Sequence, residues 1–256
     1  MNTPDYEYSG LMAQTWDVLR GDTSQWPDRF FYLELIQNHG QPVLDVGCGT
    51  GRLLLDYLQQ GLDIDGVDNS PEMLAICKQK ADAIGCAANL YEQTMETLAL
   101  PRQYRTILVP SSSLQLIIEP DLVGQALQRF LDHLLPGGII AASLMTLRQE
   151  GEPLIYEWEQ TATREKDGVK FRKVGKSRFD PESECEHTED LYQMIVDDKV
   201  VAEETHRRSP ATRSYNQIQA KTLFEQAGFR NVQLYSQFTF DPVKPDDRVF
   251  VVVGQR

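Results

Sequence analysis

The sequence predicts an α/β fold: a seven-stranded, mostly parallel sheet with helices on both faces, plus an antiparallel β insertion after the fifth strand. Three observations carry this expectation. Short apolar runs alternate with helical segments over residues 43–144. A glycine-rich turn, Gly47-Cys48-Gly49-Thr50-Gly51, joins the first run to the helix after it. Beyond residue 147 the pattern changes to alternating apolar and charged residues, the period of strands with one solvated face. The 256 residues are enough to bury a core without disulfides, as one large domain or one domain with an insertion.

Residues 1–40 read as a helical cap, with Phe30, Phe31, Leu33, Leu35 and Ile36 as its apolar stripe and Gly40 at its end. Residues 42–46 are a buried strand, and a helix over 52–60 stops at Gly61. Residues 63–67 form the second strand. Ser70-Pro71-Glu72 opens the next helix, with Ser70 as N-cap and Pro71 at the first helical position, and it runs to about residue 83. Strands follow near 87–92 and at 106–109. Asp121 caps a helix whose apolar positions include Leu122, Val123, Ala126, Leu127 and Phe130, and Pro136-Gly137-Gly138 turns into a fifth strand at 139–144. The insertion strands are 154–158, 169–174, 189–196 and 199–205, with Asp197-Asp198 as a hairpin turn. A helix over 218–227 ends at Gly228, and two strands close the chain, at about 229–237 and 248–253. The expected organisation is a cap (1–40), a ligand-binding domain (41–147 with 210–256) and an insertion (148–209) that serves as a substrate pocket or a dimer interface.

Charge narrows the partners. A formal charge of −13 argues against phosphate-backbone binding, which relies on Lys and Arg. Over 148–208 the insertion carries 16 acidic and 11 basic residues, so it is no basic nucleic-acid module. Cys48, Cys77, Cys86 and Cys185 form no C-x-x-C pair, and their spacing suggests neither zinc nor a disulfide framework; no metal is expected. With no basic stretch leading into an apolar one at the start, and no apolar run of about 18 residues, the expectation is a cytoplasmic protein with no membrane span.

Glycines where a strand turns into a helix let the backbone approach a ligand, and the helix amides can donate to an anion. The spacing is G-x-G-x-G; residue 52 is Arg, so the dinucleotide G-x-G-x-x-G is absent, as is the P-loop pattern. Asp68 follows Gly47 by 21 residues, at the end of the second strand, where a carboxylate can accept from both hydroxyls of a ribose.

Together these residues resemble the class I S-adenosylmethionine-dependent methyltransferases, which have a Rossmann-like sheet. The resemblance rests on the stretch from Val43 through Gly47-Cys48-Gly49-Thr50-Gly51 to Leu53, on Gly66-Val67-Asp68-Asn69-Ser70-Pro71-Glu72-Met73-Leu74, and on Leu135-Pro136-Gly137-Gly138. It covers about 30–146, with weaker echoes at 215–254, and points toward bacterial small-molecule enzymes. It implies S-adenosyl-L-methionine as cofactor. Asp45 and the backbone of Gly47, Cys48, Gly49 and Gly51 would hold its methionine part, Asp68 its ribose, and Asn69 would pack beside the adenosine. Arg52 either meets the cofactor carboxylate or is a solvated first-turn residue. Thr94 stands where the family places an acidic adenine contact; Met95 would pack on the ring, and Gln93 is the runner-up. Pro110 and Ser111 would pass close to the sulfonium.

No base is assigned. His39 and His133 are expected to be structural. His187 and His206 read as solvated strand residues, with the cleft as alternative. Arg213, Tyr215 and Asn216 are substrate-side candidates, while Tyr6, Tyr8, Trp16 and Tyr32 form an aromatic lid or pack in helices. The expected function is methyl transfer to a nitrogen or oxygen of a small molecule, by a monomer or homodimer with no nucleic-acid or membrane partner. The alternatives are a protein methyltransferase, a non-catalytic binding protein and, disfavoured by residue 52, a nicotinamide-dependent dehydrogenase.

Overall fold

The computed structural model describes residues 8–256. Its strands are β1 (Val43–Val46), β2 (Ile64–Asp68), β3 (Asn89–Glu92), β4 (Tyr104–Val109), β5 (Leu134–Met145), β6 (Ile155–Thr163), β7 (Lys170–Asp180), β8 (Cys185–Val196), β9 (Lys199–Arg213), β10 (Arg230–Ser236) and β11 (Val249–Gln255). Seven of them form one sheet in the order β10-β11-β5-β4-β1-β2-β3. The pairs β1–β2, β1–β4, β2–β3 and β4–β5 are parallel, and β11 is antiparallel to both its neighbours. Every residue of β1 and β2 is buried, as befits strands covered on both faces. The chain crosses from one side of β1 to the other between β3 and β4. In open α/β sheets the crevice at such a reversal, at the strands' carboxyl ends, is where ligands sit.

Among the described residues six α-helices accompany the sheet: α1 (Gly10–Arg20), α2 (Pro27–His39), α3 (Arg52–Gln59), α4 (Pro71–Ala83), α5 (Pro120–His133) and α6 (Gln217–Gln226). One face of the sheet packs Val123, Leu127 and Phe130 of α5 with Phe224 of α6. The other packs Phe31, Tyr32 and Leu35 of α2 with Leu53 and Leu54 of α3 and Cys77 of α4. The Ser70 cap forms as expected, its hydroxyl accepting from the Met73 amide at 3.1 Å, a contact worth about 1 kcal/mol. Two expectations shift. The single helical cap is two helices, because Gly21 takes φ +66° and Pro27 opens a new first turn. The fifth helix begins at Pro120 rather than being capped by Asp121, since proline suits the first helical position.

The insertion is a separate antiparallel sheet, β6-β7-β8-β9. Its strands are longer than the charge alternation suggests, because polar side chains such as Ser177 and Asp190 are buried on the inner face and break the pattern. Asp197 and Asp198 turn the β8–β9 hairpin, both with positive φ. Helix α1 bridges the two sheets. Leu11 and Met12 pack on Tyr192, while the Gly10 and Leu11 amides donate to Glu72 and Glu204, both at 2.7 Å.

Candidate functional site

A cavity of about 370 Å³ opens at the carboxyl ends of β1, β2 and β4, within the usual range for small-molecule sites. The glycine loop forms its floor. Gly47 and Cys48 both donate to the Val67 carbonyl, at 2.8 and 3.1 Å, folding the loop over the end of β2. Gly47 has φ +68°, and a Cβ there would lie 2.8 Å from Ser113 Oγ. The cradle therefore requires glycine on conformational and steric grounds.

Asp68 anchors the loop. Its Oδ2 accepts from the Gly49 amide and its Oδ1 from the Ser70 amide, each at 2.9 Å. Each oxygen keeps lone-pair capacity for a further donor such as a ribose hydroxyl. Burial raises its pKa, opposed by those amides. Asp45 is only 1 % exposed, and its Oδ1 has no hydrogen-bond partner. Burial pushes its pKa up to about 7, against the pull of Arg52. A buried carboxylate oxygen without a donor, lining a cavity, fits a cationic ligand group such as the ammonium of an amino acid.

Arg52 takes neither role foreseen for it. Its guanidinium donates to both oxygens of Asp28, at 3.0 and 2.5 Å, with side-chain exposures of 12 and 7 %. It lines the cavity, but its charge is matched within the protein. Of the two cations there without a carboxylate partner among the described residues, Arg208 of β9 and Arg20, the second lies in the last turn of α1. It stacks over Trp16 at 4.5 Å and Trp26 at 5.3 Å and reaches Ser111 Oγ at 3.5 Å. Burial, followed by the nearby Arg52 charge, lowers its pKa. Helix α1 is held by Thr50 and Lys80, which donate to the two oxygens of Asp17 at 2.6 and 2.9 Å, and by Ser70 Oγ, which donates to the Tyr8 carbonyl. Arg20 carries no sequence signal, because its role depends on where α1 docks.

Cys48, Gly49, Asn69, Thr94, Met95, Pro110 and Ser111 all line the cavity, as do Tyr8, Trp16 and Gln93. Gly51 does not: it lies behind the loop, where a Cβ would meet Cys77 Sγ at 2.6 Å, so its role is to let the start of α3 pack against α4. The Gln93 amide is engaged at both ends by the Ala99 backbone, and Thr94 Oγ1 pairs with Thr97 Oγ1 at 2.7 Å. Ser111 and Ser112 adopt φ near +56°, uncommon for non-glycine residues and located where the cleft needs a sharp turn.

The remaining candidates sit elsewhere. No histidine is among the cavity's lining residues. His133 accepts from the Leu100 amide at 2.9 Å, with its other nitrogen 2.7 Å from the Arg129 carbonyl, and His39 closes α2. His187 bonds Ser209 and His206 faces Glu204. Arg213 donates to the Ile118 and Ser183 carbonyls, Tyr215 is in the core, and Asn216 caps α6. Tyr32 is fully buried against Phe31 and Phe238 rather than forming a lid; Tyr6 lies outside the described residues. Ile117, Ile118, Glu119 and Leu122, which follow β4, and Arg208 of β9 also line the cavity.

Residues 43–138 match a family described as a methyltransferase domain. A dTDP-3-amino-3,6-dideoxy-alpha-D-glucopyranose N,N-dimethyltransferase of Streptomyces fradiae is 26 % identical over 222 residues, covering 82 % of each chain. Several other curated relatives are matched over less than half of their own length. An S-adenosylmethionine-dependent methyltransferase from Clostridium acetobutylicum shares the fold, with a TM-score of 0.76 at 17 % identity over 94 % of this chain and 96 % of that one. DesVI of Streptomyces venezuelae does so at 0.73 and 20 %, over 94 and 97 %. Residues 43–138 thus match a methyltransferase domain, and the chain has the class I fold of the S-adenosylmethionine-dependent methyltransferases it resembles.

Proposed function

We propose that the chain moves a methyl group from S-adenosyl-L-methionine to a nitrogen, with oxygen as the alternative, of a small molecule. The observation that carries the donor half is the pairing of an unmatched anion with an unmatched cation in one cavity. Asp45 Oδ1 would receive the ammonium, and Arg20 the carboxylate, of the amino-acid end. Asp68 would hold the ribose and Asn69 the adenosine face, with Thr94 and Met95 at the adenine and Pro110 and Ser111 near the sulfonium. Bound there, the cofactor supplies an already activated methyl on its sulfonium. The protein's remaining task is alignment of the acceptor in line with that bond. Residues 41–147 and 210–256 hold the donor in this reading, and 148–209 helps to enclose the acceptor.

Nitrogen is favoured by the absence of histidine from the lining residues. A neutral amine attacks without prior proton removal, whereas a hydroxyl calls for a base. The Streptomyces fradiae relative is named for an amino-sugar substrate, which supports the same choice. No helix among the described residues is long and apolar enough to cross a membrane, and a cytoplasmic monomer or homodimer fits this reading. The test is transfer of labelled methyl into a metabolite pool, with a protein lysate as control. Label in small molecules supports the proposal, label in protein moves the acceptor to the alternative, and label in neither points to a binding protein.

Two expected results follow from the donor site. Arg20→Ala weakens S-adenosylhomocysteine binding about 10- to 100-fold, the cost of a charged hydrogen bond, as read by calorimetry. Binding also depends on pH through Asp45. Because its pKa of about 7 in the folded protein exceeds the usual 3.8, the folded state holds an extra proton between those values. This contribution to stability is present below about 4 and lost as pH rises through 7. An ammonium ligand requires the carboxylate, so affinity falls by up to about tenfold per unit below pH 7, with proton release on binding. Asp45→Asn should remove that dependence, which calorimetry in buffers of different ionisation enthalpy would show.

A further inference from the structure

We infer that the methyl acceptor carries an oxyanion, phosphoryl or carboxylate, and that Arg208 is the residue that seats it; this rests on the methyl-transfer reading above. Arg208 is half-buried in β9 and lines the cavity. Its side chain has neither a hydrogen bond nor an ion pair among the described residues, in a chain whose acidic residues outnumber its basic ones by 38 to 25. Its neighbour Arg207, on the opposite face of β9, is bound to Glu189 at 2.7 Å. Arg213, at the end of the same strand, is committed to backbone carbonyls. An unmatched guanidinium facing a cavity in a molecule rich in carboxylates is a site for an anion that the protein does not itself supply.

Its position assigns that anion to the acceptor. Arg213 Nε donates to the Ile118 carbonyl, which fastens β9 to the segment following β4. Arg208 lies between that anchor and Glu204, which accepts from the Leu11 amide of α1, so it enters the cavity from the insertion sheet, whereas Asp68 enters from the end of β2 in the main sheet. The donor's own carboxylate already has Arg20 in the reading above. Thr188 stands directly across from Arg208 in the β8–β9 register, on the same face, so no carboxylate opposes the guanidinium there. Ile117, Ile118 and Leu122 give the same cavity apolar walls, a setting that strengthens a guanidinium–oxyanion contact. Glu119, whose carboxylate has no hydrogen bond or ion pair among the described residues, lines the same cavity, so the anion must reach Arg208 without approaching it, which restricts how the acceptor enters.

The test is calorimetric titration of two probes, inorganic pyrophosphate and malonate, into protein saturated with S-adenosylhomocysteine. At least one should bind, and Arg208→Gln should weaken it at least tenfold while S-adenosylhomocysteine affinity stays within twofold. Arg207→Gln, on the solvated face, should leave both probes unchanged, and Arg208→Lys should restore part of the binding. Stronger binding of pyrophosphate assigns a phosphoryl acceptor, and stronger binding of malonate a carboxylate one. Arg208 is overturned as the seat if neither probe binds, or if either binds Arg208→Gln as tightly as the unaltered protein. Failure of S-adenosylhomocysteine itself to bind removes the donor reading instead, and the same probes in ligand-free protein still decide whether Arg208 holds an anion.

Discussion

Replacing Asp68 with alanine is expected to weaken S-adenosylhomocysteine binding at least tenfold, about 1.4 kcal/mol or more. The loss has two sources. The carboxylate is the proposed acceptor for the ribose hydroxyls, and it also fixes the Gly49 and Ser70 amides at 2.9 Å. Those two donors sit in a buried setting, where each lost partner costs about 1–3 kcal/mol. The variant should therefore lose stability to urea as well as affinity. Asp68→Asn separates the effects: it keeps the volume and one acceptor, but its amide group faces a donor. Calorimetry at a temperature where both variants are folded gives the binding part. An affinity equal to that of the unaltered protein would show that the ribose lies elsewhere.

The second large effect is on stability. Arg52→Ala leaves Asp28 buried at 5 % exposure without the guanidinium that accepts its charge. Breaking a buried pair from one side costs about 3–5 kcal/mol, read as a drop in the urea midpoint. Removing both charges, with Asp28→Asn and Arg52→Met together, should recover much of that loss. In binding, the order should reverse: Arg20→Ala is the more damaging change, because Arg20 is not spent on an internal partner. If Arg52→Ala proves fully stable but cannot bind S-adenosylhomocysteine, the two arginines have been assigned the wrong way round.

The contrast between these arginines shows what the residues reveal in order along the chain. The parallel sheet, the glycine cradle, Asp45 and Asp68 were legible because each is set by local chemistry: apolar runs covered on both faces, glycine where φ is positive, a carboxylate at a strand end. The partner of Arg52 is 24 positions away in α2, and Arg20 enters the cavity only because Asp17 and the Gly10 and Leu11 amides dock α1 between Thr50, Lys80, Glu72 and Glu204. No spacing rule encodes such contacts. Gly51 was read with the cradle because it shares the motif, yet its missing side chain makes room for Cys77. Tyr32 takes the packed alternative of the two it had, while Tyr215, a substrate-side candidate, is absorbed by the core.

The insertion was legible in kind but not in extent. Its outer face alternates charges that pair across strands, as in Arg172 with Glu159 and Lys176 with Glu157, and this produced the strand pattern. Its inner face carries Lys173 and Asp190, paired at 3.0 Å, so the apolar side of the alternation is incomplete and the strand ends were hidden. Arg208 belongs to that inner, mixed face, which explains why composition alone argues against a nucleic-acid partner without pointing to an anion site.

The central claim is that the cavity at the ends of β1, β2 and β4 is built for an adenosylated amino acid. Calorimetric titration of S-adenosylmethionine and S-adenosylhomocysteine into the protein tests it most directly. The account predicts one site per chain, occupied at sub-millimolar concentration and weakened at least tenfold by Asp68→Ala. Failure of both ligands to bind in that range would contradict it.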